Sequence, residues 1–126
     1  MTTLAPLAAI DTAQFDALLA MAGPGVAATL VAQVAVDLAA AQQALLAAVD
    51  PINWRELRTQ SHVVLGLAGA LGAQDLHNLA ARLNAAAQPP VQNAQIAPTL
   101  AFKTGQTIDA VLAYLAHLQP GLVAAK

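Results

Sequence analysis

LRTQSHVVLGLAGALGAQDLHNLAARLN, running from Leu57 to Asn84, decides how the rest of the chain is read. Apolar residues recur at three- and four-residue steps on both sides of Gly72, the spacing of two amphipathic helices. Gly72 stands where the rhythm breaks and marks a tight turn. The stretch therefore reads as a helical hairpin. One histidine, His62, lies inside its first helix, followed by Gly66 and Gly69.

Working outward, Asp50-Pro51 separates this hairpin from what precedes it. Pro51 disfavours helix at Asp50, and Asp50 can cap a helix over Ile52 to Ala70. On that helix Leu57, Ser61, Val64 and Ala68 share the face expected to be buried. Arg55, Arg58, His62, Leu65, Gly66 and Gly69 fall on an adjoining stripe, which puts His62 at the boundary between core and solvent. The next helix, Ala73 to Ala87, turns Leu76, Leu79, Ala80, Leu83 and Ala87 inward.

Further upstream, Asp11 or Thr12 can cap a short helix through Met21, with Phe15, Leu18, Leu19 and Ala22 on its apolar face. Gly23-Pro24-Gly25 breaks the chain, and Pro24 suits the first turn of the following helix. That helix, Pro24 to Val49, is expected to be the longest element. Val26, Leu30, Val34, Leu38, Ala41, Leu45 and Val49 form its buried stripe, with Gln33, Asp37, Gln42 and Gln43 on wetter sides. Downstream, residues 88–97 form a linker in which Pro89-Pro90 stops one helix, and Pro98 begins the next. The last helix carries Ile108, Val111, Leu112 and Leu115, runs to about Leu118 and is ended by Pro120-Gly121. Strand signals are absent. The expected fold is all-α: an antiparallel up-down four-helix bundle with an additional short N-terminal helix as a lid, preceded by a loosely ordered lead-in over residues 1–10.

Composition narrows what such a domain can do. A chain of 126 residues is one domain's worth, with length for one continuous core. Its 58% apolar content is largely alanine, the strongest helix former, and aromatics are only 3%, so Leu, Val and Ala must pack at close helix–helix distances. Gln, Asp, Asn or Thr interrupts each apolar run, so no membrane span is expected. MTTLAPLAAIDTAQ lacks the basic start and long apolar block of a signal peptide. The absence of cysteine removes disulfides and thiolate metal sites and fits a cytoplasmic location. Net charge is −2 with five Lys plus Arg, too few for a nucleic-acid surface.

The chemistry available is that of one imidazole. A neutral imidazole is nucleophilic at one ring nitrogen, can accept a phosphoryl group and can pass it to a carboxylate. Such transfer needs an approach path more than a pocket, and Gly66, one turn after His62, removes a side chain from that path. Each mid-helix glycine costs about 1 kcal/mol relative to alanine, so two of them in an alanine-rich chain point to backbone access or very close packing. For Gly66, beside the histidine, access is the better reading. His77 and His117 share no spacing with another ligand that would make a metal site, and they read as surface or boundary residues. Ser61 and His62 are no catalytic pair, because neighbouring helical side chains diverge by about 100°. Trp54 reads as core or bundle-end packing. Paired carboxylates, a phosphate-binding loop and a nucleophile elbow are all lacking, and nothing resembles an ATP-binding kinase domain, so no enzyme with its own substrate pocket is expected.

SHVVLGLAGALGAQDLHNLAARLN resembles the signature of histidine-containing phosphotransfer (HPt) domains, commonly aHxLKGsaxxxGaxxLxxlaxxlE. The likeness covers His62, Gly66, Ala68, Leu71, Gly72, Ala73, Leu76, Leu79, Ala80 and Leu83 without a gap. FDALLAMAGPGVAATLVAQVAVDLAAAQQALLAAVD also looks like the family's first and second helices, so the resemblance extends over nearly the whole chain. It implies a bacterial-type phosphorelay carrier in which His62 takes a phosphoryl group from one receiver aspartate and delivers it to another. It implies as partners a response-regulator receiver domain or a hybrid sensor histidine kinase, and no cofactor of its own. Mg²⁺ would come with the receiver and neutralise charge on the transferring group. A monomer without nucleic-acid or membrane partners is expected.

The chain departs from the family where it usually has lysine, three residues after the histidine: Leu65 stands there, and Leu67 replaces the small residue after the glycine. Arg58, one turn before His62, is the local substitute cation, since a guanidinium can contact phosphate bidentately. Leu65 and Gly69 would belong to the surface on which a receiver docks, with Leu65 enlarging its apolar patch. Asn84 occupies a position where the family often has Gln or Glu facing the histidine, and could hold the imidazole by a hydrogen bond. Two alternatives stand beside the carrier. One is a docking module of the same fold that transfers phosphate poorly, because of Leu65. The other is a structural bundle that makes oligomers through alanine-rich faces.

Overall fold

A computed structural model describes residues 12 to 124, and five helices lie among these residues. They are α1 (Thr12–Ala22), α2 (Pro24–Ala47), α3 (Trp54–Leu71), α4 (Gln74–Ala87) and α5 (Ala97–Ala124). There is no strand among the described residues; one isolated bridge between Val49 and Ile52 closes the turn into α3. The lead-in over residues 1–10 and the capping role considered for Asp11 lie outside the described residues.

The four long helices pack in a closed ring, α2 on α3, α3 on α4, α4 on α5 and α5 back on α2. Short α1 lies against α2 and α3, with Phe15 and Leu19 buried. Gln14 Nε2 ties it to α3 by donating to the Gly69 carbonyl at 2.9 Å. Towards α5, burial and then the nearby Asp16 carboxylate hold the Tyr114 phenol above its ordinary range. The core is aliphatic, built on Val31, Leu38, Leu45, Leu57, Val64, Leu71, Leu76, Leu83, Ile108 and Leu115, with alanines between. Each fully buried leucine contributes about 1.5–3 kcal/mol. The alanines matter as spacers, because they let helix axes approach without large side chains between them.

The hairpin forms for the reasons its residues suggest. Leu57, Ser61, Val64, Ala68 and Leu71 are the buried face of α3, and Leu76, Ala80, Leu83, Ala86 and Ala87 that of α4. Gly72 ends α3 in the left-handed region at φ 70°, where a side chain would clash. Its N–H reaches the Ala68 and Gly69 carbonyls, and Ala73 N–H bonds Ala68 O at 2.9 Å. Leu79 is half-buried and packs against the edge of the core. Trp54 packs half-buried at the start of α3.

Several local expectations are corrected. The cap of α3 is Asn53, whose side-chain oxygen accepts from Glu56 N–H at 3.0 Å; Asp50 sits three residues too early, inside the turn. On α2 the buried set includes Ala27 and Val31, while Val26 is 61% exposed. Four-residue steps rotate about 40° past a full turn, so a stripe drawn from Leu38 back to Val26 leaves the core face. Gln42, expected on a wet side, is buried. Its Nε2 donates to Gly105 O and to Asp109 Oδ1, both at 2.8 Å, bridging α2 to α5.

The longest element is α5, 28 residues against 24 for α2. It continues through Pro120-Gly121 to Ala124, since a proline forfeits one N–H without forcing a helix to stop. Polar residues do interrupt the apolar stretch of α2, at Thr29, Gln33, Asp37, Gln42 and Gln43. Gly25–Ala47 is long and apolar enough, by length and composition, to cross a membrane, because its few polar residues hardly lower a 23-residue average. In this fold its Ala27, Val31, Val34, Leu38, Ala41 and Leu45 are buried, towards the neighbouring helices α1, α3 and α5.

Because Gln42 joins two helices through a buried amide, Gln42→Ala is expected to destabilise the fold by about 1–2 kcal/mol in urea denaturation. A change below a few tenths would mean that solvent already shares those bonds.

Candidate functional site

His62 occupies the middle of α3 on its solvent side, opposite the buried Leu57, Val64 and Leu71. It is more exposed than a boundary residue and makes no hydrogen bond to any described residue. An open groove beside it is lined by Arg58, Thr59, His62, Val63, Asn84 and Gln88. Arg58 is the one side chain of fixed charge lining it, and no carboxylate does. The groove therefore favours an anion.

Gly66 lies one turn beyond, exposed at the surface. A Cβ there would meet nothing within 4 Å among the described residues, so packing against them does not explain the glycine. The same holds for Gly69, where close helix packing is one of the readings the sequence allows. Its carbonyl instead accepts from Gln14 of α1. Leu65 is half-buried and packs against the core, so the more exposed apolar neighbour of the histidine is Val63, at 39%.

Asn84 does not hold the imidazole. Its Nδ2 donates to Ser61 Oγ at 3.0 Å and to the Arg58 carbonyl at 3.2 Å, and its Oδ1 accepts from Gln88 Nε2 at 3.0 Å. Ser61 Oγ also donates to the Arg58 carbonyl at 3.1 Å. Asn84 thus locks α4 to the turn of α3 that immediately precedes His62. It supports the backbone from which Arg58 and His62 project. The reason is geometric: Asn84 faces fully buried Ser61, one residue round the helix from His62, and its short side chain is used up there.

Arg58 does line the groove with His62, as its spacing suggests. One guanidinium nitrogen, Nη1, donates to the carbonyl of Ala87 at the end of α4, at 3.1 Å. Thr59, Val63 and Gln88 are groove residues that sequence reasoning did not single out. Thr59 is three residues before His62 and Gln88 four after Asn84, so helical spacing was the available signal. His77 is half-buried on α4 and His117 exposed on α5, and neither lines the groove. Among the described residues no group of three or more His, Asp or Glu is placed to hold a metal ion.

No family model matches the chain, and neither does any curated protein or solved structure.

With nothing in contact distance of a Cβ at position 66, Gly66→Ala is expected to raise stability by up to about 1 kcal/mol through helix propensity alone. Thermal denaturation of the purified variant measures it, and a loss of stability would show that the turn after His62 is more crowded than described.

Proposed function

We propose that the protein is a phosphocarrier in which His62 accepts a phosphoryl group from a receiver-domain aspartate and returns it to another. The observation that carries the reading is the imidazole itself. It stands exposed in mid-helix and free of hydrogen bonds, with an open glycine one turn on and a groove whose fixed charge is one guanidinium. The ring of four long helices with α1 across it fits an antiparallel up-down bundle with a short additional N-terminal helix, a rigid support for such a residue.

In transfer, a ring-nitrogen lone pair attacks phosphorus and forms a P–N bond. The aspartyl P–O bond breaks, and the carboxylate leaves with its electron pair. The receiver supplies Mg²⁺ and the acidic pocket, and this chain supplies the nucleophile and the docking surface. Arg58 is the cation available to the phosphoryl oxygens where the family's usual lysine is replaced by Leu65. Val63 and the edge of Leu65 give the apolar contact on which a receiver settles. Work between a bacterial hybrid kinase and a response regulator in the cytoplasm completes the proposal.

One observation favours a second reading. Leu65 is turned partly into the core and offers no charge, so a module that binds receivers while transferring slowly has the same scaffold.

Incubation with a phosphorylated receiver and Mg²⁺ is expected to put acid-labile, base-stable phosphate on His62. His62→Gln is expected to abolish the label while changing stability by less than about 1 kcal/mol, as for an exposed side chain. Binding without label supports the docking module; neither binding nor label sinks both readings.

A further inference from the structure

The last turn of α4 is followed by Pro89-Pro90, and prolines carry no N–H. The carbonyls of Ala85 and Ala86 consequently have no N–H four residues ahead to accept from. Gln88 N–H bonds Ala85 O at 3.3 Å, and Asn93 N–H reaches back to Ala86 O at 2.8 Å. Ala87 O is met by neither local backbone nor linker; its partner is Arg58 Nη1 at 3.1 Å. The guanidinium is therefore the C-terminal cap of α4, a cation at the negative end of the helix. No carboxylate of the described residues pairs with it.

We propose that Arg58 is shared between two acceptors, the Ala87 carbonyl when His62 is free and the phosphoryl oxygens when His62 is phosphorylated, so that phosphorylation loosens the end of α4 and the linker after it. This rests on the phosphocarrier reading and adds a consequence to it. The two acceptors are unequal. A hydrogen bond from guanidinium to a phosphate oxygen is charge-assisted at both ends, and the bond to a neutral carbonyl at one. Arg58 is one turn before His62 and already lines its groove, so the guanidinium can be drawn over by side-chain rotation. Ala87 O then loses its one described hydrogen-bond partner. The linker bonds anchored beside it, Asn93 N–H to Ala86 O and Gln92 N–H to Gln88 O, are the ones that weaken. The carrier's phosphorylation state would then be readable at residues 88–93, outside the surface around the imidazole.

The test uses phosphoramidate, whose P–N bond breaks as phosphorus bonds to the ring nitrogen and ammonia leaves with the ring's proton. Intact mass and site mapping measure phosphohistidine at position 62, and amide exchange is followed by NMR in the same sample. Phosphorylation is expected to speed exchange of the Gln92 and Asn93 amides about fivefold, the scale of one hydrogen bond of ordinary net strength. In Arg58→Gln, which keeps a neutral donor and loses the charge, phosphohistidine is expected to form more slowly, and exchange of those amides to be the same in its phosphorylated and unphosphorylated forms. In His62→Gln the reagent is expected to leave them unchanged, which excludes effects of reaction at His77 or His117. Phosphorylated His62 with unaltered linker exchange overturns the coupling alone. Failure to form phosphohistidine at position 62 overturns the phosphocarrier reading and the coupling with it.

Discussion

Asn84 holds the candidate site together from behind. Its amide bonds to Ser61 Oγ and the Arg58 carbonyl join α4 to α3 at a level where the rest of the interface is aliphatic. Hydrophobic packing is nondirectional and would tolerate small sliding of one helix on the other. A half-buried amide aimed at one hydroxyl and one carbonyl does not, because a shift leaves polar groups unpaired. His62 and Arg58 project from the turn that these bonds hold, so the groove geometry depends on a residue that never touches the imidazole.

The surface above this anchor is unusually bare. Gly66 and Gly69 have open space where a Cβ would be, and helix propensity argues against both. What they leave is exposed backbone beside a free imidazole, an arrangement suited to a close partner rather than to a ligand enclosed by this chain. The guanidinium of Arg58 is the one fixed charge lining the groove, and it is engaged at the end of α4, where the Ala87 carbonyl accepts from it and from no backbone N–H of the described residues. Local backbone chemistry at one helix end thereby reaches the site on another helix.

Elsewhere the same theme recurs. Gln42 lies in a polar-looking stretch of α2 yet is buried, because α5 presents Gly105 O and Asp109 Oδ1 opposite it. Nothing near Gln42 in the chain announces those acceptors, which are 63 and 67 residues away. The short α1 is likewise held through a side chain meeting a distant carbonyl, Gln14 to Gly69.

Sequence alone determined the helices and most of their breaks, Pro120-Gly121 excepted, since the last helix runs on through it. Periodicity, Gly23-Pro24, Gly72 and Pro89-Pro90 act through local backbone geometry, and local geometry is legible in order along the chain. It also singled out His62 with Gly66 after it, and the buried face of α3. Tertiary structure decided the rest. It turned Asn84 from the imidazole to Ser61, put Asn53 in place of Asp50 as the cap, moved the α2 stripe from Val26 to Ala27 and Val31, and gave Arg58 the Ala87 carbonyl. Each of these depends on which of several helical faces meets which partner. A stepwise count of residues accumulates rotational error along a long helix, and a side chain able to reach several acceptors takes the one that packing brings near.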